Sequence, residues 1–432
     1  KSPLITLQLS ILKLRHNHYD YHRQMYKKYL YENYNSNLMF GPRPSGSPIL
    51  ERAIDHMINL TLDSGINDIR TESVTVPYWK RGDESLTMIL PVTKNIAILG
   101  LGPSVPTPLN GITAEVIIVK CFPELDESVQ GKIVLFNVPF TTYEETVNYR
   151  IHGATAAAKW GAVAVLVRSI TPFSLYTPHT GSLYYENSTK KIPAAAITLE
   201  DADYFERIYN RGERILVNLK MFSEFSLKES RNVIIDLKGQ KNPEKIIVVS
   251  GHIDSWDVGR GAIDDGGGMM ISWFVPVILN YLSIWPRRTI RCILWTSEEP
   301  GYIGAAAYLK QHSSDIHNID FIMESDAGTF EPLGLEVAGS ENVKCLMENL
   351  LRLFTPIDEL KYANTVGSDI ALFVKLGIPG ASLLNKNDRY FWFHHTQADT
   401  LTAQNDTNVI KCAAFWAAVT YVIADLPFEI PL

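Results

Sequence analysis

Three short apolar runs rich in β-branched residues, KIIVVS at 245–250, TIRCILW at 289–295 and IDFIM at 319–323, constrain this chain more than any other feature. Stretches with helical spacing follow them, at 267–282, 304–312, 341–354 and 407–423. Buried-type strands alternating with helices predict a largely parallel sheet covered by helices. A helix over 47–64 joins the same layers. Between about residues 96 and 221 the pattern changes to short β-rich segments punctuated by Gly and Pro, among them GITAEVIIVK, GKIVLFNVP and GAVAVLVRS. Only two helices interrupt them, over 148–159 and 200–211. The fold class is therefore α/β: a mixed, mostly parallel sheet flanked by helices, with an inserted β-rich domain. We set the boundaries at 1–92 plus 226–432 for the first unit and 93–225 for the insert. No His, Asp or Glu of the insert falls into a ligand or triad spacing, so its expected role is to shape access or form an interface.

A chain of 432 residues with 46% hydrophobic and 20% charged residues has an ordinary globular composition and needs no disulfide framework. Its net charge of −7 gives no electrostatic case for nucleic acid or an anionic membrane. The apolar stretches at 269–282 and 412–424 fall short of the roughly 20 residues of a membrane span, so none is expected. Cys121, Cys292, Cys345 and Cys412 form no C-x-x-C pair and read as free thiols. Sequons at Asn59, Asn187 and Asn405 are no more than chance expects. The chain opens on Lys1 and residues 3–14 are only weakly apolar, so a signal peptide is either removed or not included.

Immediately after each of the three strands comes a group that can bind a metal: His252 and Asp254, then Glu298 and Glu299, then Asp326. Ligands of open α/β sheets bind at the carboxyl ends of strands, so these distant positions converge in space. The glycine-rich GAIDDGGG adds Asp264 and Asp265, and HHTQAD adds His394, His395 and Asp399. Imidazoles and carboxylates without thiolates suit zinc or another borderline divalent ion in an open catalytic site. A lone His or Asp at a strand end is usually structural. Five such elements are too many for one ion and fit two metals sharing a bridging carboxylate, the arrangement of hydrolytic displacement.

GHIDSWDVG, GAIDDGGG, LWTSEEPGYIGA, MESDAG, VGSDIALFVKLGIPGAS and YFWFHHTQAD resemble the co-catalytic di-zinc exopeptidases, which include glutamate carboxypeptidase and bacterial aminopeptidases. The resemblance runs from about residue 40 to 425. It includes GPRPSGS at 41–47, and YTPHTGS at 176–182 resembles part of a protease-associated insert. The first forty residues depart from it, and HNHYDYH at 16–22 reads as a solvated segment. The resemblance implies two zinc ions per subunit, one held by His252 and Asp326, the other by Glu299 and His395, with Asp264 bridging. It makes Glu298 the general base and Asp254 the group that orients His252. It selects His395 through the pattern H-T-x-x-D, and sets His394 where related enzymes carry a Tyr near the oxyanion. Ser368 and Asp369 fall in a segment that resembles the site for the substrate's amino terminus. A cis Asp264–Asp265 peptide, short peptide substrates such as dipeptides with free termini, a homodimer and a secreted or lysosomal location are implied as well.

No G-x-S-x-G elbow, P-loop or dinucleotide fingerprint is present. Two alternatives share the fold: a binding protein that has lost catalysis, as in the transferrin receptor, and a single-zinc enzyme that cyclises amino-terminal glutamine. Zinc stoichiometry and turnover of a free dipeptide separate them from the first reading.

Overall fold

The structure is a computed structural model that describes residue 30 and residues 32–431; the segment at 16–22 lies outside the described residues. Its strands are β1 (Ile69–Leu90), β2 (Lys94–Ile96), β3 (Ile98–Gly100), β4 (Ile112–Val119), β5 (Ile133–Phe136), β6 (Ala164–Arg168), β7 (Ala194–Ile197), β8 (Leu216–Leu237), β9 (Asn242–His252), β10 (Arg288–Trp295), β11 (Ile319–Glu324), β12 (Pro332–Ala338), β13 (Glu359–Tyr362) and β14 (Gly380–Asn385). The main helices are α1 (Pro48–Asp63), α2 (Tyr143–Lys159), α3 (Leu199–Asn210), α4 (Gly267–Tyr281), α5 (Ile303–Gln311), α6 (Glu341–Leu351) and α7 (Asp406–Ala424). The three expected strands lie within β9, β10 and β11, and the expected helices match α4 to α7 to within a few residues.

A central sheet runs in the order β13-β12-β14-β11-β9-β10-β8. Its middle is parallel: Ile247 of β9 pairs with Ile290 of β10 on one side and Phe321 of β11 on the other. Alternate side chains of β9 feed two cores, as the period of two demands. Ile247 and Val249 enter one with Met57, Trp273 and Trp416, while Ile246 and Val248 enter the other with Trp295, Tyr308 and Phe373. Trp273, Trp295 and Trp416 are wholly buried, and truncating such a residue costs about 3–5 kcal/mol. The stretches Ala262–Tyr281 and Asp406–Ala424 are apolar and long enough to cross a bilayer, yet both are mostly buried against the sheet.

A distal lobe continues from β8 in the order β4-β5-β6-β7-β3, with α2 and α3 on its faces. Among the described residues, the cores of the central sheet draw on nothing between 93 and 225. Those of the distal lobe draw on only Leu86 and Met88 outside that range. What joins the lobes differs from a simple linker. β1 and β8 pair antiparallel from Ile69 with Ile235 to Leu90 with Leu216, and β8 also bonds β10 at one end and β4 at the other. The middle of β8, SEFSLKESR at 223–231, pairs only with β1, so no hydrophobic alternation marks it as strand. Helix α2 begins five residues before its expected start, because Thr142 caps it by accepting from the Glu145 amide with Glu144 and Glu145 in the first turn.

Candidate metal centre

Because β10, β9 and β11 are adjacent and parallel, their carboxyl ends bring His252, the Glu298–Glu299 pair and Asp326 to one edge of the sheet. The turn before α4 adds Asp264, whose peptide to Asp265 is cis. Asp264 lies between two imidazoles. Its Oδ1 is 3.1 Å from His252 Nε2, and its Oδ2 is 3.1 Å from His395 Nε2. Around this axis, Asp326 Oδ1 is 3.4 Å from His252 Nε2, and Glu299 Oε2 is 3.1 Å from His395 Nε2. Glu298 Oε2 stands further off, 4.0 Å from His252 Nε2. His394 stacks on His395 with ring centroids 3.5 Å apart, its Nε2 3.5 Å from Asp264 Oδ2.

Hydrogen bonding fixes what these contacts mean. Nδ1 of His252 meets the Asp254 carbonyl at 3.1 Å, and Nδ1 of His395 meets the Thr180 carbonyl at 3.1 Å. A carbonyl can only accept, so both rings carry a proton on Nδ1. In the neutral ring Nε2 is then a lone pair, aimed at carboxylate oxygens that are also acceptors. Either a second proton or a cation must sit between them. Without a cation, burial opposes the charge on His395, but Glu299 and Asp264 outweigh it and push the imidazole up to about 9. Asp264 Oδ2, Glu299 Oε1 and Asp326 Oδ1 are buried without a hydrogen-bond donor. Candidate ligand atoms gather within 4.8 Å of one another in three overlapping sets: Asp264, His394 and His395; His252, Asp264 and Glu299; His252, Asp265 and Asp326. Imidazole lone pairs and bare carboxylate oxygens fit a borderline divalent cation.

Around these groups, two charged side chains grip the turn that carries Asp264. Arg43, wholly buried, donates to the carbonyls of Ile253, Arg260 and Gly261. Asp399 accepts from the amides of Ala262, Ile263 and Asp264. Asp254 places its carboxylate on the amides of Glu298 and Glu299, at 3.0 and 3.3 Å, and 3.7 Å from His252 Nδ1. It meets the imidazole more closely through its carbonyl. Burial raises the Glu298 carboxyl well above its ordinary value, with Asp326, Asp369 and Glu299 adding to the effect against His252. Asp369 is wholly buried with both carboxylate oxygens unpaired, and burial, then Glu324, raises it too. Ser368 donates its amide to Glu324 Oε2 at 2.7 Å.

The model of peptidase family M28 matches residues 232–420. Carboxypeptidase Q of Xenopus laevis is 46% identical over 90% of this chain and 84% of its own length, and that of Homo sapiens is 44% identical over the same shares. The chain belongs to peptidase family M28. Among solved M28 structures, a peptidase precursor from Shewanella amazonensis superposes with a TM-score of 0.90 at 30% identity, covering 95% of this chain and 97% of its own. A zinc aminopeptidase from Bacillus subtilis, 20% identical over 94% of this chain and 98% of its own, shares the fold at a TM-score of 0.72.

The five residues expected from the sequence to be metal ligands lie in this one cluster together with His394, while Glu298 stands at its margin. Sequence reasoning assigned no role to Arg43, although GPRPSGS marked its segment, or to Glu324 at the end of β11. It also missed His179 and Thr180, which reach the cluster from the distal lobe. Their only signal was the motif YTPHTGS.

Proposed function

We propose that this chain is a zinc-dependent exopeptidase that cleaves short peptides, with two zinc ions per subunit. One would be held by His252 and Asp326 and the other by His395 and Glu299, with Asp264 placed between the two. The observation that carries the reading is the position of Asp264, one oxygen 3.1 Å from the Nε2 of each of the two imidazoles. Two such ions polarise a carbonyl and acidify a shared water.

The chain's own residues supply the rest. Glu298 is the proton carrier: it stands outside the ligand sets, its carboxyl is raised, and its main chain is fixed by Asp254. It takes the proton of the attacking water at a carboxylate oxygen and returns it to the leaving amine. His394, buried beside Asp264, contacts the carbonyl oxygen or the substrate. Asp369, with two bare oxygens, receives the substrate's ammonium group, and Ser368 is its chain neighbour. Dipeptides with free termini are the expected substrates. Residues 93–225 act as an insert on the catalytic unit of 1–92 and 226–432. We extend the proposal to a homodimer of the secretory pathway, for which exposure of Asn59, Asn187 and Asn405 offers three sites of glycosylation.

Zinc analysis of the purified protein, with kcat/KM for a dipeptide and its N-acetyl form, tests the proposal. Two zincs per chain and a loss of tens-fold or more on acetylation are expected, because the buried carboxylate is left unpaired. One zinc, or no hydrolysis by zinc-loaded protein, overturns the two-metal reading; equal rates for the two peptides reject Asp369 as the ammonium site.

A further inference from the structure

The two imidazoles facing Asp264 take their tautomers from different lobes. His252 is set by the carbonyl of Asp254, two residues away in the same loop. His395 is set by the carbonyl of Thr180, which is 215 residues away in the distal lobe. The contact is reciprocal, since the Thr180 amide donates to the His395 carbonyl at 3.1 Å. Beside it, His179 Nδ1 donates to the His394 carbonyl at 2.8 Å. These bonds hold a strained segment, for His395 has φ +62°, where a side chain is disfavoured.

The segment is itself anchored in the distal lobe. The His179 amide donates to Ser169 Oγ, and Ser169 Oγ donates to the Ile197 carbonyl at the end of β7. Thr180 Oγ1 donates to the Gly100 carbonyl at 2.7 Å and accepts from Arg81 Nη2 at 3.1 Å. Arg81 also grips Asp257, in the loop that follows His252, through bonds of 2.7 and 2.9 Å.

We infer that His179 and Thr180 are positioning residues of the metal centre, and that cation affinity in the His395–Glu299 half depends on the distal lobe being seated. The inference rests on the two-metal reading above. Removing the Thr180 carbonyl from Nδ1 lets the proton move to Nε2, which would then face the carboxylates as a donor and lose its capacity as a ligand. The tautomer of His252 has no such dependence, since its Nδ1 acceptor lies in its own loop. Because coupling is reciprocal, a cation in the His395 half also stabilises the seating of residues 176–182.

Two measurements on the full chain test this. In competition with a chromophoric chelator, His179→Leu should weaken one zinc by about 10- to 100-fold and leave the other within about twofold. His179→Asn, which restores an N–H near the Nδ1 position, should recover most of the loss. Hydrogen exchange of wild type is read in peptides covering 176–184 during stepwise zinc addition. Protection there should rise with one zinc, the one that His179→Leu weakens, and not with the other. Equal weakening of both zincs, no weakening in a folded His179→Leu, or exchange at 176–184 indifferent to zinc overturns the inference. If His179→Leu does not fold, the wild-type exchange experiment decides alone. A wild type that binds a single zinc defeats the two-metal reading, and the inference then stands or falls on whether that zinc protects 176–184.

Discussion

The two halves of the centre are assembled by opposite means. His252 ends β9 and Asp326 follows β11, neighbouring strands of a parallel sheet, so strand pairing alone brings them together. His395 ends no strand; its backbone is left-handed and its imidazole leans on a carbonyl from another lobe. Topology pre-organises the first half, whereas docking of one lobe on the other completes the second. A site of this kind can lose half its metal affinity without losing its fold, and substitutions should sort by which half they reach.

The largest effect is expected where the halves meet. Asp264→Ala removes the carboxylate that lies between the two imidazoles and, under the two-zinc proposal, would leave the charges of the cations unseparated. After dialysis the variant should retain less than two zincs and show no measurable turnover. A variant that still holds two zincs would show that Asp264 does not bridge. Glu298→Gln should spare both halves. Zinc content and Tm should stay at wild-type values while kcat falls by about 10²–10⁴-fold, because the proposed proton carrier is lost and no proposed ligand is. Substantial remaining turnover would move the proton transfer to another group.

The same asymmetry explains what could be read from the sequence. The central sheet was legible because its middle strands are buried on both faces and carry mostly apolar, β-branched runs, and because ligands of such sheets collect at the strand ends. His252, Glu299 and Asp326 follow from that rule. The middle of β8 was not legible, since a ribbon paired only with β1 has no core to impose alternation on Ser223 to Arg231. His179 and Thr180 were hidden for a related reason. They act through a ring nitrogen bonded to a backbone carbonyl and through a backbone carbonyl itself, and no residue spacing encodes such a contact. Arg43 likewise works only on carbonyls, so neighbouring charges in the sequence give no hint of it.

A smaller effect is expected at Asp399, whose two oxygens accept three amides of the turn that carries Asp264. Asp399→Asn turns one acceptor into a donor facing an N–H, a mismatch of about 1–3 kcal/mol. Because the turn serves both halves, both zinc affinities should fall together, by about tenfold or more. This contrasts with His179→Leu, which should act on one. A chelator titration that shows only one zinc affected by Asp399→Asn would mean the turn is not shared rigidly between the halves.

The smallest effect is a pH dependence of the metal-free protein. Burial raises Glu299, Glu324 and Asp399 each to about 7, against about 4 in an unfolded chain, and His395 is pushed up to about 9 from an unfolded value of about 6.5. All four groups bind protons more tightly in the folded chain, so each contributes stability that is lost as pH rises through its folded value. Burial depresses His179 to about 3 and lowers His394 as well; they act in the other direction, but below about pH 6.5, where an unfolded histidine gains its proton. Between pH 6.5 and 8.5 the Tm of the metal-free protein should therefore fall. The zinc-loaded protein should follow it less, since zinc would require the proposed ligands Glu299 and His395 deprotonated and would bind more strongly as their protons leave. The gap between loaded and metal-free Tm should widen with pH, and Asp264→Ala should abolish that widening. A gap that is constant across this range would mean that the protons held by the empty site are not the ones zinc displaces.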